Sequence, residues 1–494
     1  MSTAGFEVFA APPGVDVPAA TPPGVDVPAD ASDLAPHGPA ALRLPALSAE
    51  WVGALCDTLR EARPRLSDRD AADLASALGR VGERFLDPGD PLRREALELL
   101  PRTSGLSPEM AVAVLDGMAA DWTEARLAAL LTADLGDAAV LDGFVDSGVR
   151  PGRVMAVGPA LCVQIVAGSV PGVGVSALLR SLLVKGPTLL KPGRGDVVLP
   201  VLFARGLAEA DRALAAALAV VYWPGGDRAL EDAALARADV VTAYGSDATV
   251  RDLRARAPVT ARFVAYHHRV SVGVVGRGAL TAAAADATAA DVARAIGLFD
   301  QRGCVSPQLV YVEEGCERSP EEFAEALARA LAELEGRLPT GPLELAEAAS
   351  LHQTRGTAEL LAAAAGGRVI HGGAAAWTVL FEPQSGASAR SESRGAPGVP
   401  SPYPAPAAGR VARVRPLASV EALPRLLAPL SGYLQTVGVA GLGDRMERVA
   451  RSVATVGASR VVPFAGVPFP PPWWHHDGGG PLTDLVSWID LEPE

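Results

Sequence analysis

Residues 163–196 read VQIVAGSVPGVGVSALLRSLLVKGPTLLKPGRGD, and this stretch decides the fold. An apolar run ends in a glycine-rich turn, a segment with helical spacing follows, and a second apolar run closes at Lys191-Pro192. Strand, helix and strand in this order form a parallel βαβ unit. The stretch therefore predicts an α/β fold with a doubly wound parallel sheet.

The charge-free segment from Val154 to Leu179 is long enough to raise the question of a membrane span. Pro159, Pro171 and several glycines interrupt it. A spanning helix tolerates one such break more easily than many. We therefore predict buried strands, turns and a helix, and no membrane span.

Working outward, the same alternation continues on both sides of this stretch. It runs from RVMAVGP to RVSVGVVG in residues 151–275 and through QLVYVEE, RVIHGG, AWTVLFEP and RVARVRP in residues 276–455. Each range predicts one sheet domain. Residues 41–150 show helical spacing, with Asp90-Pro91 and Ser107-Pro108 as helix starts. Residues 1–40 contain a tandem PPGVDVPA repeat and too little large apolar material to pack, so we predict a disordered leader.

Composition excludes several functions. The net charge of −13 is spread along the chain without basic clusters, which argues against nucleic acid and anionic membranes as partners. The 4 cysteines form no CxxC pair, and the amino terminus resembles no secretory signal, so we expect a cytoplasmic protein without a disulfide framework. Lys185 and Lys191 are the only 2 lysines, and their proximity indicates a site that needs a compact ammonium.

Cys304 is the thiol best placed for chemistry. The helical spacing before it breaks at Gln301-Arg302-Gly303, so it falls in a turn that precedes a strand. Such a thiol is accessible and can be flanked by backbone N–H groups. Spacing alone leaves a buried structural cysteine equally open. Cys162 is expected in the core, and Cys56 and Cys316 look structural or incidental.

Two glycine motifs could hold a nucleotide phosphate. Gly172 and Gly174 match part of a dinucleotide fingerprint, but glycine patterns are common in a chain with 51 glycines. Gly245-Ser246 is the better candidate, because it ends an apolar strand and opens a helix. Its alternative is an ordinary serine N-cap. The His267-His268 and His475-His476-Asp477 clusters lack companion ligands, so no metal is expected.

Three segments read together resemble one family: residues 163–196, ARADVVTAYGSDATVRDL at 236–253, and GLFDQRGCVSPQLVYVEE at 297–314. They are similar to LuxC-type long-chain fatty acyl-CoA reductases, a branch of the aldehyde dehydrogenase superfamily. The endings at 432–441 and 458–490 are also similar. The resemblance implies an aldehyde dehydrogenase-like fold, with an N-terminal helical layer, a cofactor domain at 151–275, a catalytic domain at 276–455 and a bridging or oligomerisation segment at 456–494.

The resemblance also assigns roles to residues. It makes Cys304 the acyl-accepting nucleophile, places Lys191 at the adenosine ribose and its phosphate, and places Gly245 and Ser246 at the pyrophosphate. Ser169 stands where the family usually has an asparagine that donates to the oxyanion. Arg194 replaces the glutamate of NAD-preferring relatives, and a guanidinium there can pair with a 2′-phosphate, which favours NADPH.

The implied reaction is reduction of an acyl-CoA, or of an acyl group on another carrier, to an aldehyde. The stretch FVAYHHRVSVGVVG lacks the carboxylate that activates water in aldehyde-oxidising relatives, which favours the reductive direction. An acyl-activating synthetase and a second copy of the chain are the partners that the family suggests. Two alternatives stay open: a Cys304-dependent acyltransferase or thioesterase, and a scaffold without catalysis.

Overall fold

The computed structural model describes residues 6–18, 42–148, 151–373, 376–383 and 409–493. The chain divides into two compact units, one with residues up to 267 together with 471–494, the other with 268–470. Each unit is built around its own mainly parallel sheet.

The amino-terminal segment differs in part from the predicted disordered leader. β1 (Phe6–Glu7) pairs with a strand that follows residue 41, β3 (Leu42–Arg43), and β2 (Phe9–Ala10) pairs antiparallel with the edge of the first sheet. Val8 between them is fully buried. These few apolar residues suffice because they extend an existing sheet edge and need no core of their own. Residues 1–5 and 19–40 of the leader lie outside the described residues.

A helical layer follows, as predicted. The Asp90 carboxylate accepts a hydrogen bond from Leu92 N at 2.8 Å, and the Ser107 hydroxyl accepts one from Met110 N at 3.2 Å, so both predicted helix starts are confirmed. The helices are α1 (Ala49–Glu61), α2 (Arg63–Ser67), α3 (Ala71–Arg84), α4 (Pro91–Ser104), α5 (Pro108–Ala119) and α6 (Glu124–Leu135).

The first sheet has a reversal of strand order. After the helical layer, the first unit continues with two strands outside this sheet, β4 (Val145–Asp146) and β5 (Arg153–Val157), and then with β6 (Cys162–Ile165), α7 (Val173–Leu183), β7 (Thr188–Lys191), α8 (Val198–Ala210), α9 (Arg212–Ala215), β8 (Leu218–Val221), α10 (Arg228–Leu235), β9 (Val240–Tyr244), α11 (Asp247–Arg256) and β10 (Arg262–Tyr266). The strand order is β10-β9-β6-β7-β8-β2, and all neighbours except β2 are parallel. The chain winds outward from β6 in one direction and resumes at β9 in the other. The carboxyl ends of β6 and β9 therefore flank the crevice where doubly wound sheets bind ligands.

The amino terminus of α7 is occupied by a carboxylate of the chain. Gly172 has φ 96°, a left-handed conformation that favours glycine. The backbone N–H groups of Gly172 and Gly174 each donate to the fully buried Asp196 carboxylate at 2.7 Å. These donors are the ones that a phosphate at the glycine fingerprint would need, so Asp196 takes its place. Burial raises the pKa of Asp196 to about 7, although the bonds from Gly172 and Gly174 act to lower it.

The second unit is also doubly wound. Its elements are β11 (Val270–Val275), α12 (Ala285–Gly297), β12 (Pro307–Glu313), α13 (Pro320–Arg337), α14 (Leu345–Ala365), β13 (Arg368–His371), β14 (Thr378–Phe381), β15 (Val411–Leu417), α15 (Leu423–Leu427), β16 (Leu434–Ala440), α16 (Met446–Ala454) and β17 (Arg460–Pro463). The order is β13-β14-β15-β12-β11-β16-β17, with β13 antiparallel to its neighbour. β11 belongs to this sheet, so the second unit begins before residue 276, where the sequence analysis divides the chain. The two sheets and the helical layer confirm the predicted α/β architecture.

The carboxy-terminal residues return to the first unit. The Asp134 carboxylate accepts hydrogen bonds from Leu482 N at 2.6 Å and Thr483 N at 2.8 Å. β18 (Ser487–Leu491) then pairs antiparallel with β5, which pairs with β4. Within the part of the chain that the structure describes, none of the helices combines the length and apolarity that a membrane span needs.

We expect the buried Asp196 carboxyl to make stability depend on pH. Its pKa rises from 3.8 to about 7 on folding, so the folded chain binds a proton that the unfolded chain releases between these values. The free energy of unfolding should therefore fall as pH rises through this window, by at most about 1.4 kcal/mol per pH unit for one group. Asp196→Asn should remove this slope in urea unfolding curves at several pH values. Asp146→Asn, at an exposed carboxyl, is the control, and an unchanged slope in Asp196→Asn would contradict the assignment.

Candidate active site

Cys304 lies in a tight turn of the second unit. A hydrogen bond from Ser306 N to Gly303 O at 3.0 Å closes the turn, and β12 begins directly after it. Cys304 is exposed, whereas Gly303, Val305 and Ser306 are buried. The turn thus presents the thiol from a packed base, and the alternative of a buried structural cysteine is excluded.

The other thiols have different surroundings. Cys56 and Cys162 are fully buried, and burial raises the pKa of each to about 12. Cys316 is half-buried, and burial together with the charge of Glu313 raises its pKa. A thiol with a raised pKa holds less thiolate at neutral pH and is a poorer nucleophile. Of the 4 cysteines, all of which lie in the described residues, Cys304 alone is exposed.

A strained run of backbone leads into the Cys304 turn. Phe299, Asp300 and Gln301 have φ values of 58°, 50° and 62°, in the left-handed region. Such residues cost of order 1–3 kcal/mol each and persist only where the surroundings hold them. The Gln301 amide donates to Pro307 O and Val411 O, both at 2.8 Å, and accepts from Val411 N at 2.6 Å. These bonds fasten the run to the starts of β12 and β15.

Asp300 is held by an ion pair with Arg410. The guanidinium donates to the Asp300 carboxylate from Nε at 3.0 Å and from Nη2 at 2.8 Å, and both side chains are buried. The sequence analysis missed Asp300, Gln301 and Arg410. The only local signal was the helix break before Cys304, because the partners lie 110 residues apart in the chain.

Ser169 lies in the loop that follows β6, at the strand-order reversal of the first sheet. Its side chain is exposed and makes no hydrogen bond with the described residues. The loop touches the segment after β7 backbone to backbone, since a Cβ on Gly193 would lie 2.1 Å from Gly168 N. Only glycines permit this approach. The contact brings the loop of Ser169 beside the segment that carries Lys191 and Arg194.

Lys191 ends β7 and is 7% exposed. Its ammonium lies 5.4 Å from the centre of the Tyr222 ring and has no hydrogen-bond or ion-pair partner among the described residues. Burial lowers the pKa of Lys191 to about 8, and the charge of Glu231 acts to raise it. A buried ammonium with unused donors fits a ligand that brings hydroxyl or phosphate oxygens. Arg194, which is exposed, begins the short helical turn that follows.

Gly245 and Ser246 connect β9 to α11. The Ser246 hydroxyl accepts a hydrogen bond from Thr249 N at 3.2 Å, so the side chain acts as the N-cap that was the alternative interpretation. Asp247 follows within the first helical turn, and its carboxylate lies 3.4 Å from His267 Nδ1. The Ser246 hydroxyl is therefore bonded to the helix, and the donors that this terminus could offer an anion are backbone N–H groups.

The histidine cluster near the carboxy terminus joins an aromatic stack in the first unit. His476 stacks on Tyr266 at 4.2 Å and on Trp474 at 4.6 Å, and Tyr266 stacks on Tyr244 at 4.4 Å, measured between ring centres. Tyr244 and Tyr266 end β9 and β10. Among the residues described, no group of 3 or more His, Cys, Asp or Glu side chains could hold a metal ion.

The first unit contains all four predicted cofactor residues, Lys191, Arg194, Gly245 and Ser246, together with the predicted oxyanion donor Ser169. Ser169, Lys191 and Gly245-Ser246 lie at the carboxyl ends of β6, β7 and β9, which are neighbours in one sheet. Cys304 belongs to the second unit, at the amino-terminal end of its sheet.

Comparison with known proteins agrees with this architecture. Residues 68–488 match the family model described as acyl-CoA reductase (LuxC). A long-chain acyl-protein thioester reductase from Aliivibrio fischeri is 27% identical over 240 residues, which cover 47% of this chain and 48% of that protein. Long-chain acyl-protein thioester reductase 2 from Photobacterium leiognathi is 25% identical over 283 residues, 56% of each. The chain therefore aligns with about half the length of these curated relatives.

Solved structures support the fold. Aldehyde dehydrogenase 21 from Physcomitrella patens, in complex with succinate, superposes with a TM-score of 0.69 at 14% identity and covers 92% of each chain. The family match extends from α3 of the helical layer to the start of β18 and includes all the parallel strands of both large sheets. By its sequence the chain belongs to the LuxC acyl-CoA reductase family, on an aldehyde dehydrogenase-like fold.

Proposed function

We propose that this chain reduces an acyl thioester to an aldehyde with NADPH, through a thioacyl intermediate on Cys304. The observation that carries the proposal is the exposed Cys304 thiol on a turn whose base is packed and hydrogen-bonded. A nucleophile held in one geometry loses little freedom when it attacks a carbonyl carbon.

The chemistry assigns one task to each stage. The Cys304 thiolate attacks the acyl thioester, a new carbon–sulfur bond forms, and the carrier leaves as its thiol. NADPH, when bound, supplies the hydride that reduces the acyl carbon. Cys304 then departs as thiolate when the tetrahedral adduct collapses to the aldehyde. Its sulfur returns to the starting state.

The absence of a water-activating carboxylate favours reduction over hydrolysis. Residues 262–275, which span β10 and β11, contain no Asp or Glu. Within this stretch, the Tyr266 ring is packed between Tyr244 and His476. A thioester that no carboxylate-activated water attacks hydrolyses slowly and survives for reduction. Ser169 keeps its proposed role as oxyanion donor, supported by its exposed hydroxyl, with the Cys304 backbone N–H as the alternative donor.

The carrier of the acyl group is the next part of the proposal. The family model is described as acyl-CoA reductase, whereas the relatives are named acyl-protein thioester reductases. Both carriers present the same thioester carbon to Cys304. A long-chain acyl group on CoA or on a protein is the substrate class, and an acyl-activating synthetase is a partner that could supply it.

A direct assay tests this function. The protein is incubated with NADPH and a panel of acyl-CoA and acyl-carrier-protein thioesters, and aldehyde is trapped with a hydrazine. We expect aldehyde formation, and a loss of more than about 10³-fold in Cys304→Ser, because the nucleophile is removed. Cys316→Ser is the matched control and should retain activity. Thioester hydrolysis without aldehyde would favour a thioesterase, and failure to turn over any thioester would favour a scaffold.

Lys191 and Arg194 are the residues that we propose hold the NADPH ribose and its 2′-phosphate. Lys191 offers unused donors from a buried position, and Arg194 is exposed 3 residues later. Two cations at this edge of the sheet favour a phosphorylated ribose over a ribose with free hydroxyls. Backbone N–H groups at Gly245 and Ser246 would meet the pyrophosphate.

We expect Arg194→Glu to change the cofactor preference. A carboxylate repels the 2′-phosphate and can bind a 2′-hydroxyl, so kcat/KM should fall about 10- to 100-fold for NADPH relative to NADH. Arg212→Glu, on a short helix of the same unit, is the charge-matched control. An unchanged ratio between the two cofactors in steady-state kinetics would refute the assignment.

We also propose that a second copy of the chain packs against β18. This strand forms the edge of its sheet, and all its residues are exposed, with Trp488 and Ile489 at 43% and Leu491 at 40%. An apolar edge strand attracts another chain unless it is covered. Ile489→Lys should lower the molar mass in light scattering, whereas Val259→Lys, at a fully exposed position elsewhere, should not. A single mass for all three proteins would rule out this surface.

A further inference from the structure

Four parallel strands bring their amino-terminal ends to the edge of the second sheet where Cys304 lies. They are the neighbours β12, β11, β16 and β17. Cys304 precedes β12, Ser271 is at the start of β11, and Arg460 begins β17. In the ladder between β16 and β17, Thr436 pairs with Arg460. These residues therefore belong to one edge of one sheet.

Ser271 connects the Cys304 turn to β16. Its hydroxyl donates to Cys304 O at 2.7 Å and accepts a hydrogen bond from Thr436 N at 3.2 Å. Its side chain is buried, with 1% exposure. The pairing register of β11 shifts beside Ser271 on both flanks, against β12 and against β16. At this irregularity the hydroxyl supplies bonds that the ladder does not, and it fixes the peptide plane after Cys304.

Arg460 brings a positive charge to the same edge. Its guanidinium donates from Nη1 to Val467 O at 3.1 Å and from Nη2 to Gly466 O at 2.5 Å, which fixes its direction. Burial lowers the pKa of Arg460 to about 10, and attraction to the Cys304 thiolate acts to raise it. The side chain remains cationic at neutral pH. Since the attraction is mutual, the cation also favours the thiolate form of Cys304.

The other charged groups at this edge have partners of their own. Arg410 is held by Asp300, Arg302 lies 3.4 Å from Glu347, and Arg269 donates to Gly432 O at 2.8 Å. On the β11 side, His268 faces the Tyr433 ring at 6.4 Å. Arg460 therefore shares this edge with two arginines that carboxylates neutralise.

We propose that Arg460 is the charge partner of the Cys304 thiolate and that Ser271 is the positioning residue that keeps the two in register. The inference rests on the proposed function in one respect, the use of Cys304 as the nucleophile. The cation stabilises the sulfur whenever it is anionic. That is the case before attack on the thioester and again when the thiolate departs from the reduced adduct.

The test follows alkylation of Cys304 by iodoacetamide as a function of pH, in the full-length protein with Cys316→Ser as background. In Arg460→Met the midpoint of the pH profile should rise by about one unit, and the rate at pH 7 should fall about tenfold. Arg460→Lys should keep most of the effect because it keeps the charge. Arg451→Met, an exposed arginine on α16, is the matched control and should leave the profile unchanged.

Ser271→Ala should raise the midpoint by less than Arg460→Met. The double variant should shift it no further than Arg460→Met alone, because a positioning residue acts through the charge that it positions. Additive shifts would overturn the role of Ser271. An unshifted midpoint in Arg460→Met would overturn the role of Arg460. If Arg460→Met does not fold, as judged by circular dichroism, Arg460→Gln is measured in its place with the same two outcomes.

Alkylation requires neither NADPH nor an acyl substrate, so it separates this inference from the proposed function. A shifted profile in a protein that forms no aldehyde would support the pairing of Arg460 with Cys304 and would contradict the proposed reductase activity. Aldehyde formation with an unshifted profile would support the reductase activity and would contradict the pairing of Arg460 with Cys304.

Discussion

The ion pair between Arg410 and Asp300 is the constraint on which the candidate active site depends. Arg410 is fully buried, and beyond Asp300 it donates to Glu335 Oε2 and Leu338 O, both at 2.8 Å. One guanidinium thus joins the end of α13, the strained run before Cys304 and the start of β15. A buried pair contributes little net stability, but removing one partner strands the other charge at a cost of about 3–5 kcal/mol. The pair is better understood as fixing one conformation of the turn.

The two sheets are wound in the same way, but their candidate site residues lie at opposite ends of the parallel strands. In the first sheet the carboxyl ends at the reversal of strand order carry Ser169 and Gly245-Ser246. In the second sheet the equivalent position, between β11 and β16, is closed by backbone contact. Gly441 has φ 65°, and a Cβ there would lie 2.2 Å from Ala279 N. The second unit instead presents Cys304 from the amino-terminal edge. The proposed nucleotide site and the proposed nucleophile therefore lie on different units, at opposite ends of their parallel strands.

Local patterns predicted the parts of the structure that depend on local physics. Alternating apolar runs identified both sheets, and Asp90 and Ser107 cap the helices that they were expected to cap. Local sequence patterns failed where a residue far away in the sequence determines the local structure. The glycine fingerprint at Gly172 is filled by Asp196, 24 residues away. The predicted domain boundary at residue 276 put β11 in the first domain, whereas β11 pairs with β12 and β16 of the second unit. This pairing is a tertiary contact that local sequence patterns do not reveal.

The two lysines, Lys185 and Lys191, lie in different surroundings. The sequence analysis treated Lys185 and Lys191 as one site, but Lys185 forms an ion pair with Asp142 at 2.7 Å and belongs to the framework. Both side chains are 7% exposed, and the chain contains no other lysine. Thioesters acylate exposed amines without catalysis, and arginine is a far weaker acceptor. If Cys304 carries an acyl group as proposed, the chain offers that group no lysine at its surface, and composition and burial together would prevent self-modification at lysine.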